Sequence, residues 1–299
     1  MNEQFARVGD IELCYETFGD PADPPMLMVM GLGAQMVAWP EDLIRELVER
    51  GFFVVRYDNR DAGRSTWLRD VPPPKPVELA TRRTNAAYTL DDMAADAAGL
   101  LDHLGVESAH VVGASMGGMI AQMLAARHPD RVRSLASIMS TTGSRIYGQP
   151  ALRAYPFLLK RAPAERDAFV ERAVQLFRIV GSTGFERDED ELRRTVGLAF
   201  DRGVSAAATG RQLAAIVASG NRTRRLRRIK APTVVIHGTT DKLVGASGGR
   251  ATARAIPGAR LELIEGMGHD LPRGAWPRIV GAIERNAARA TEPVAARAA

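Results

Sequence analysis

The stretch His110–Met119, "HVVGASMGGM", places one serine between glycines where a strand pattern changes into a helical pattern. The short apolar run before the serine is typical of a buried strand, and the segment after it is typical of a helix. Glycines two residues before and two residues after Ser115 remove the side chains that would clash in a tight strand-to-helix turn. The pattern predicts a serine hydroxyl at the carboxyl edge of a sheet, where open α/β sheets bind ligands.

Strand and helix patterns alternate on both sides of this turn. Residues 52–58, "FFVVRYD", and 231–238, "APTVVIHG", are short apolar runs, whereas residues 89–105 have helical periodicity and end in glycine. Such alternation favours right-handed crossovers between parallel strands. We therefore expect an α/β fold with a mostly parallel central sheet flanked by helices and interrupted by an all-helical insertion.

We predict the insertion because a long stretch of the sequence contains no convincing strand pattern. Helical patterns fill residues 143–230, which is too long for a simple connection between two elements. We predict a core domain formed by residues 1–142 and 231–290, a helical cap formed by residues 143–230, and a C-terminal tail at residues 291–299.

Composition narrows the classes of protein. The chain has 299 residues, of which 45% are hydrophobic and 25% are charged, as is ordinary for a globular protein. Its single cysteine, Cys14, excludes an internal disulfide and fits a reducing compartment. Neither a signal-peptide pattern nor an uninterrupted membrane-spanning run is present. We expect a cytoplasmic protein without stable membrane insertion; its oligomeric state stays open, a homodimer included.

The net charge of +5 raises the question of a nucleic-acid partner. The densest basic run, Arg222–Lys230, has no interleaved aromatic residues and directly precedes a buried-strand pattern. This arrangement is typical of the solvated end of a helix, so no nucleic-acid partner is expected. Because the sequence shows no cluster of metal ligands and no phosphate-binding glycine loop, we expect neither a metal nor another cofactor.

A serine hydroxyl needs a base to become a nucleophile. His269 lies in "EGMGHDLP", a glycine-rich loop directly after the last predicted strand, and therefore at the same sheet edge as Ser115. The other four histidines lie within elements or at their ends, where structural or solvent-exposed roles are more common. They are His103, His110, His128 and His237. We predict that His269 is the base.

The imidazole in turn needs a carboxylate that fixes its tautomer. Asp241 follows the penultimate strand by a short turn and reaches the same edge. Asp270 is adjacent to His269 along the chain, and adjacent side chains usually point in different directions. The strand "LASIMS" ends in Ser140–Thr142 and offers no carboxylate. We therefore predict the catalytic order Ser115, Asp241, His269.

The oxyanion of an acyl-transfer intermediate needs hydrogen-bond donors. We predict the backbone N–H of Met116, which follows the serine, and the backbone N–H of Leu32 in "VMGLGAQ". The glycines around Leu32 are also compatible with nothing more than a tight turn. Met30 and Trp39 are predicted to line an apolar substrate pocket, although core packing explains Trp39 equally well.

These motifs resemble those of the α/β-hydrolase family over nearly the whole chain. The matching stretches are "GASMGG" around Ser115, "HGTTD" ending in Asp241, "GMGHD" containing His269, and "YDNRDAGRS" at Tyr57–Ser65. In the last stretch the resemblance implies that Asp58, Arg60 and Arg64 hold the loop together by hydrogen bonds and perform no chemistry.

Within that family, residues 27–40 and 56–66 are similar to aclacinomycin methylesterase-like hydrolases and related bacterial carboxylesterases. This resemblance implies a helical cap. One departure is that Met30-Gly31 stands where many relatives have His-Gly before the oxyanion loop. Haloalkane dehalogenases and epoxide hydrolases of this fold use an aspartate as nucleophile, so the serine favours acyl transfer.

We therefore expect a serine hydrolase that cleaves small-molecule carboxylic esters through an acyl-enzyme intermediate. The same three residues also suit a thioester, a lactone, a polyketide methyl ester, a C–C bond next to a ketone, or peroxide as the acceptor. A non-catalytic ligand-binding protein on the same fold is the alternative from another class.

Overall fold

A computed structural model describes residues 2–82, 84–151, 154 and 163–290. The strands in these ranges are β1 (Gln4–Val8), β2 (Ile11–Phe18), β3 (Pro25–Val29), β4 (Phe53–Tyr57), β5 (Ala109–Ala114), β6 (Val132–Ile138), β7 (Thr233–Gly238) and β8 (Arg260–Ile264). The α-helices are α1 (Glu41–Val48), α2 (Pro76–Thr81), α3 (Leu90–His103), α4 (Met116–Arg127), α5 (Arg166–Val180), α6 (Glu189–Arg202), α7 (Ala206–Ser219), α8 (Thr223–Leu226), α9 (Ala246–Ala255) and α10 (Trp276–Ala288).

All eight strands form one sheet in the order β1-β2-β4-β3-β5-β6-β7-β8. β2 is antiparallel to both of its neighbours, and every other pair is parallel. The parallel register puts Val29 opposite Gly113, and Gly238 opposite Ile264. The ends of β3, β5, β7 and β8 therefore meet at one edge, and the predicted mostly parallel α/β sheet is confirmed.

Helices cover both faces of the sheet because successive strand residues bury their side chains on opposite sides. Val111 and Val55 pack in one apolar cluster with residues of α3 and α4. Their chain neighbours Val112 and Val54 pack in a second cluster with residues of α1 and α10. All positions of β5 and β7 are buried, as expected for central strands of a sheet between two helical layers.

The described part of residues 143–230 contains α5 to α8 and no strand. The predicted helix near residues 151–162 lies largely outside the described residues, and the predicted tail at 291–299 lies entirely outside them. The division into core and cap stays a prediction. The short helix α2 begins at Pro76, and proline is well tolerated in the first turn of a helix.

None of the described helices combines the length and the apolar character that crossing a bilayer requires.

Candidate active site

Ser115 lies in the turn between β5 and α4 with φ 56° and ψ −118°, a conformation that side-chain-bearing residues rarely adopt. A Cβ atom on Gly113 would lie 2.2 Å from the carbonyl oxygen of Gly117. A Cβ atom on Gly117 would lie 2.0 Å from the carbonyl oxygen of Val29. The flanking glycines are therefore required, because the turn packs directly against its own backbone and against the end of β3.

Three residues that the sequence predicted as a catalytic set lie in hydrogen-bond contact. His269 Nε2 is 3.0 Å from Ser115 Oγ, and His269 Nδ1 is 2.7 Å from Asp241 Oδ2. They come from the turns after β5, β7 and β8, which the parallel register aligns at one sheet edge. Ser115 is partly exposed, whereas the other two are buried, so the hydroxyl is the accessible end of the chain of hydrogen bonds.

The environment of Asp241 keeps its carboxylate ionised. Burial acts to raise its pKa, but attraction to His269 and hydrogen bonds from His237 and His269 outweigh burial and lower the pKa to about 2. Its Oδ1 also accepts the backbone N–H groups of Leu243 at 2.9 Å and Val244 at 2.8 Å. The second oxygen is left to hold the imidazole, which leaves Nε2 facing the serine hydroxyl.

A second histidine contacts the same carboxylate. His237, the penultimate residue of β7, places Nε2 2.7 Å from the carbonyl oxygen of Val244 and 3.5 Å from Asp241 Oδ2. A structural or solvent-exposed role, as the sequence predicts for this histidine, does not include this contact with the Asp241 carboxylate. The only sequence signal for this contact is that His237 lies at the end of the strand that Asp241 follows, four residues before Asp241.

Two other reactive side chains, those of His110 and Cys14, take no part in this chain of hydrogen bonds. His110 bonds Ser134 through Nδ1 at 2.8 Å, and burial together with the charge of Arg133 lowers its pKa to about 4. The Cys14 thiol is buried, and burial together with the nearby Asp58 carboxylate raises its pKa to about 12. The Cys14 thiol therefore stays protonated at neutral pH and is not a nucleophile. The His110 imidazole is neutral at that pH, but it is a weak base and is already bonded to Ser134.

The loop after β3 passes directly beside the serine. A Cβ atom on Gly31 would lie 3.1 Å from Ser115 Cβ, so this backbone approaches the reacting hydroxyl closely. Across the described ranges, no protein acceptor takes the backbone N–H of Leu32 or of Met116. The next N–H, that of Gly33, donates instead to Gln212 Oε1 at 2.8 Å. The two predicted oxyanion donors therefore keep their N–H groups available.

The turn Asp58–Ser65 holds the loop after β3 in place. Asn59 Nδ2 donates to the carbonyl oxygen of Met30 at 2.9 Å, and Asp58 Oδ1 accepts the N–H of Met36 at 2.7 Å. These contacts fix both ends of the loop after β3.

The three charged residues that the resemblance singles out in this turn, Asp58, Arg60 and Arg64, make different kinds of contact. Asp58 stabilises the turn itself, because its Oδ2 accepts the backbone N–H of Arg64 at 3.0 Å. The side chains of Arg60 and Arg64 instead reach out of the turn, to Asp96 on α3 and to Glu3 before β1. The expectation that all three hold the loop together by hydrogen bonds thus fits Asp58, while the two arginine side chains tie the turn to other elements.

Buried ion pairs join the insertion to the same turn. Arg202, at the end of α6, pairs with Asp58, and Arg211 on α7 pairs with Asp61 through two hydrogen bonds of 2.9 and 2.5 Å. Gln35, in the loop after β3, makes two further contacts with the insertion, because its Nε2 donates to the carbonyl oxygens of Ala199 and Gly203 at 2.7 Å each. Sequence periodicity gave no signal for these pairs.

Met30 and Trp39 belong to one apolar cluster with residues of α1 and α10. Trp39 is 1% exposed and Met30 is 7% exposed. The tryptophan therefore packs in the core, which was the alternative explanation for its position. A role of either residue in a substrate pocket stays a prediction.

In the part of the chain that the structure describes, no group of three or more His, Cys, Asp or Glu side chains is arranged to hold a metal ion.

Residues 24–272 match the family model of the alpha/beta hydrolase fold, and the chain belongs to that family. It is 31% identical to rhodomycin D methylesterase DnrP of Streptomyces peucetius over 293 residues, covering 92% of this chain and 94% of that protein. It is 27% identical to 3-oxoadipate enol-lactonase 2 of Acinetobacter baylyi, with 86% of each chain covered. A solved hydrolase from Pseudomonas aeruginosa PA01 has the same fold, with a TM-score of 0.70, 24% identity, and coverage of 98% of this chain and 99% of that one.

Proposed function

We propose that the protein is a carboxylic ester hydrolase that acts on a small-molecule ester through an acyl-enzyme intermediate on Ser115. The observation that carries the proposal is the chain of hydrogen bonds from Asp241 through His269 to Ser115. This arrangement supplies a nucleophile, a base and an orienting carboxylate at one accessible point. The family and the methylesterase among the relatives agree with ester hydrolysis.

In the first half of the reaction, Ser115 Oγ attacks the ester carbonyl carbon while His269 Nε2 takes the hydroxyl proton. The N–H groups of Leu32 and Met116 donate to the oxyanion that forms. Asp241 stabilises the imidazolium through Nδ1. When the tetrahedral intermediate collapses, the bond to the alcohol oxygen breaks, and His269 delivers its proton to the departing alcohol.

In the second half, His269 takes a proton from water, and the resulting hydroxide attacks the acyl carbon. The bond to Ser115 Oγ then breaks, the serine regains a proton from His269, and the carboxylic acid leaves. Each half of the reaction returns the imidazole to its starting state, so one histidine serves as base and acid in turn. No metal or organic cofactor enters this scheme.

We further propose that residues 143–230 form a cap over the substrate, on a core of residues 1–142 and 231–290. Contacts from α7 to the loop after β3, and from the segment after α5 to the loop after β8, support this arrangement. Met30 remains the proposed apolar lining of the pocket. The cytoplasmic location expected from the sequence stays a prediction, and the oligomeric state stays open.

A lactone is the second candidate substrate, because an enol-lactonase is among the relatives. The chemistry is the same except that the alcohol stays attached to the acid after ring opening. Measuring kcat/KM side by side for a methyl ester, a p-nitrophenyl ester, a thioester and a lactone distinguishes these candidates. A preference of at least about tenfold in kcat/KM, or about 1.4 kcal/mol, would identify the acyl class.

The test of the mechanism is Ser115→Ala with short p-nitrophenyl esters. We expect kcat to fall by at least about 10⁴-fold, because loss of the nucleophile disables the whole set of residues. The matched control is Ser134→Ala, which removes another serine hydroxyl from the sheet, one bonded to His110 and away from this edge. Nitrophenol release by Ser115→Ala at the wild-type rate would refute the proposal. A fluorophosphonate should label the wild type at Ser115, and failure to label it would count against the proposal as well.

A further inference from the structure

The segment Val180–Gly184, "VGSTG", lies at the end of α5 and packs against the loop Gly266–Asp270, "GMGHD". We call the first the latch segment and the second the histidine loop. A Cβ atom on Gly268 would lie 2.2 Å from the carbonyl carbon of Gly181. The two segments therefore touch through their backbones, and glycine is needed at the contact.

Backbone hydrogen bonds connect the two segments at both ends. The N–H of His269 itself donates to the carbonyl oxygen of Val180 at 2.7 Å. The N–H groups of Thr183 and Gly184 both donate to the carbonyl oxygen of Gly266 at 2.9 Å. The backbone N–H of His269 is thus bonded to the insertion, whereas Gly266 and Met267 of the same loop are also bonded to the turn after β7.

Two side chains complete this contact. Asp270 accepts the backbone N–H of Ser182 at 3.0 and 3.1 Å and also accepts the Ser182 hydroxyl. The Ser182 oxygen in turn accepts the N–H of Gly268 at 2.9 Å. These bonds join the residues immediately before and after His269 to one buried hydroxyl. Neither Ser182 nor Asp270 is hydrogen-bonded to the imidazole.

We propose that Ser182 and Asp270 are positioning residues that fix the imidazole of His269 for proton transfer. This inference rests on the proposed function. Glycines at positions 266 and 268 give the histidine loop more backbone freedom than other residues would, so the fixed geometry must come from outside the loop. A displacement of about 1 Å at a reacting group costs about 100-fold in rate, which makes such fixation matter.

The arrangement also gives Asp270 a role that differs from that of Asp241. Asp241 bonds the imidazole directly through Nδ1, whereas Asp270 bonds only the latch segment and acts through the backbone. Removal of Asp270 should therefore lower kcat less than removal of Asp241 does. It should also leave KM nearly unchanged, because neither Asp270 nor Ser182 is proposed to touch the substrate.

The experiment compares full-length Ser182→Ala, Asp270→Ala and the double variant with the wild type. Steady-state kinetics use a p-nitrophenyl ester, and proton NMR follows the downfield signal of the His269 Nδ1–H proton. We expect each single variant to lose about 10- to 100-fold in kcat. The NMR signal should broaden or shift. The double variant should lose about as much as one single variant, because the two side chains form one hydrogen-bonded unit.

Two matched variants separate positioning from general weakening of the insertion. Asp188→Ala removes a carboxylate that caps α6, where Oδ1 accepts the N–H of Glu191 at 2.8 Å, away from the histidine loop. It should lower Tm and leave kcat and the NMR signal unchanged. Ser182→Thr keeps the hydroxyl and should restore kcat to within a few-fold of the wild type.

Wild-type kcat in folded Ser182→Ala would overturn the inference, and so would an equal loss of kcat in Asp188→Ala. If Asp270→Ala does not fold, Ser182→Ala decides the outcome alone. Ser115→Ala in the same assay separates this inference from the proposed function. An active Ser115→Ala refutes both, whereas an inactive Ser115→Ala beside a fully active Ser182→Ala refutes only the positioning role.

Discussion

The contact between Gly117, at the start of α4, and the end of β3 leaves no space for a methyl group. A Cβ atom at this position would lie 2.0 Å from the carbonyl oxygen of Val29, 2.5 Å from its carbonyl carbon and 2.8 Å from the carbonyl oxygen of Met30. All three atoms belong to the backbone, so no side chain can rotate away. Gly117→Ala must therefore move either α4 or the loop after β3.

The size of that movement follows from the distances. Real Cβ atoms essentially never come closer than 3.0 Å to such a neighbour, so the two backbones must separate by at least 1.0 Å. The segments that move carry Ser115 and the proposed oxyanion donors. We expect kcat/KM to fall by about 100-fold. Overpacking costs about 1–3 kcal/mol of unfolding free energy, which the roughly 0.5–1 kcal/mol gain of alanine in a helix offsets only in part.

Gly210→Ala provides the matched control. Gly210 lies inside α7, and the nearest atoms to an added Cβ are Pro73 Cβ at 3.4 Å and Pro74 Cδ at 3.5 Å, which are ordinary contacts. The same substitution should here raise the unfolding free energy by about 0.5–1 kcal/mol and leave kcat/KM unchanged. Denaturant unfolding and ester kinetics measure both quantities. A Gly117→Ala protein with wild-type stability and kcat/KM would refute the reasoning.

Asp241→Asn should lower kcat by about 10⁴-fold at neutral pH, measured by ester kinetics, because an amide does not hold the required tautomer of His269. Folding lowers the pKa of Asp241 from 3.8 to about 2, so its ionised form favours the folded state. This contribution of about 2 kcal/mol is present above pH 4 and disappears as the pH falls towards 2. Denaturant unfolding of wild type and Asp241→Asn at pH 7 and pH 3 should show the difference shrinking at the lower pH. Gln212→Leu leaves the N–H of Gly33 and the carbonyl oxygen of Arg60 without their partner, at about 1–3 kcal/mol for each group. Unfolding free energy should fall accordingly, and kinetics should show kcat reduced more than KM.

Much of the fold could be predicted from the sequence, and so could the position of the three proposed catalytic residues at one edge of the sheet. The reason is that parallel strands end at one edge, so any residue just after such a strand lies near that edge. Ser115, Asp241 and His269 each follow a strand pattern by a short turn, and the sheet register brings those turns together. The glycines beside Ser115 carry further information because only a close backbone approach requires them.

The contacts from the insertion could not be predicted, because helical periodicity identifies an apolar face and not a polar partner. Gln212 and Gly33 are 179 residues apart along the chain, and Ser182 and Asp270 are 88 apart. Nothing in either local pattern indicates which loop a given side chain reaches. The role of Trp39 could not be predicted either, since an apolar residue near the active-site loop suits a substrate pocket and a hydrophobic core equally well.

The contacts between the insertion and the core restrict which residues of the insertion can be substituted without loss of activity. It holds the loop after β3 through Gln212, the histidine loop through Ser182, and the turn after β4 through Arg202 and Arg211. Loss of one partner from a buried ion pair costs about 3–5 kcal/mol, because the other charge stays buried without compensation. Changes that alter substrate choice without loss of activity should therefore fall on faces of α5 to α7 that make none of these contacts. On this reasoning the insertion is part of the active-site framework as well as its proposed cover.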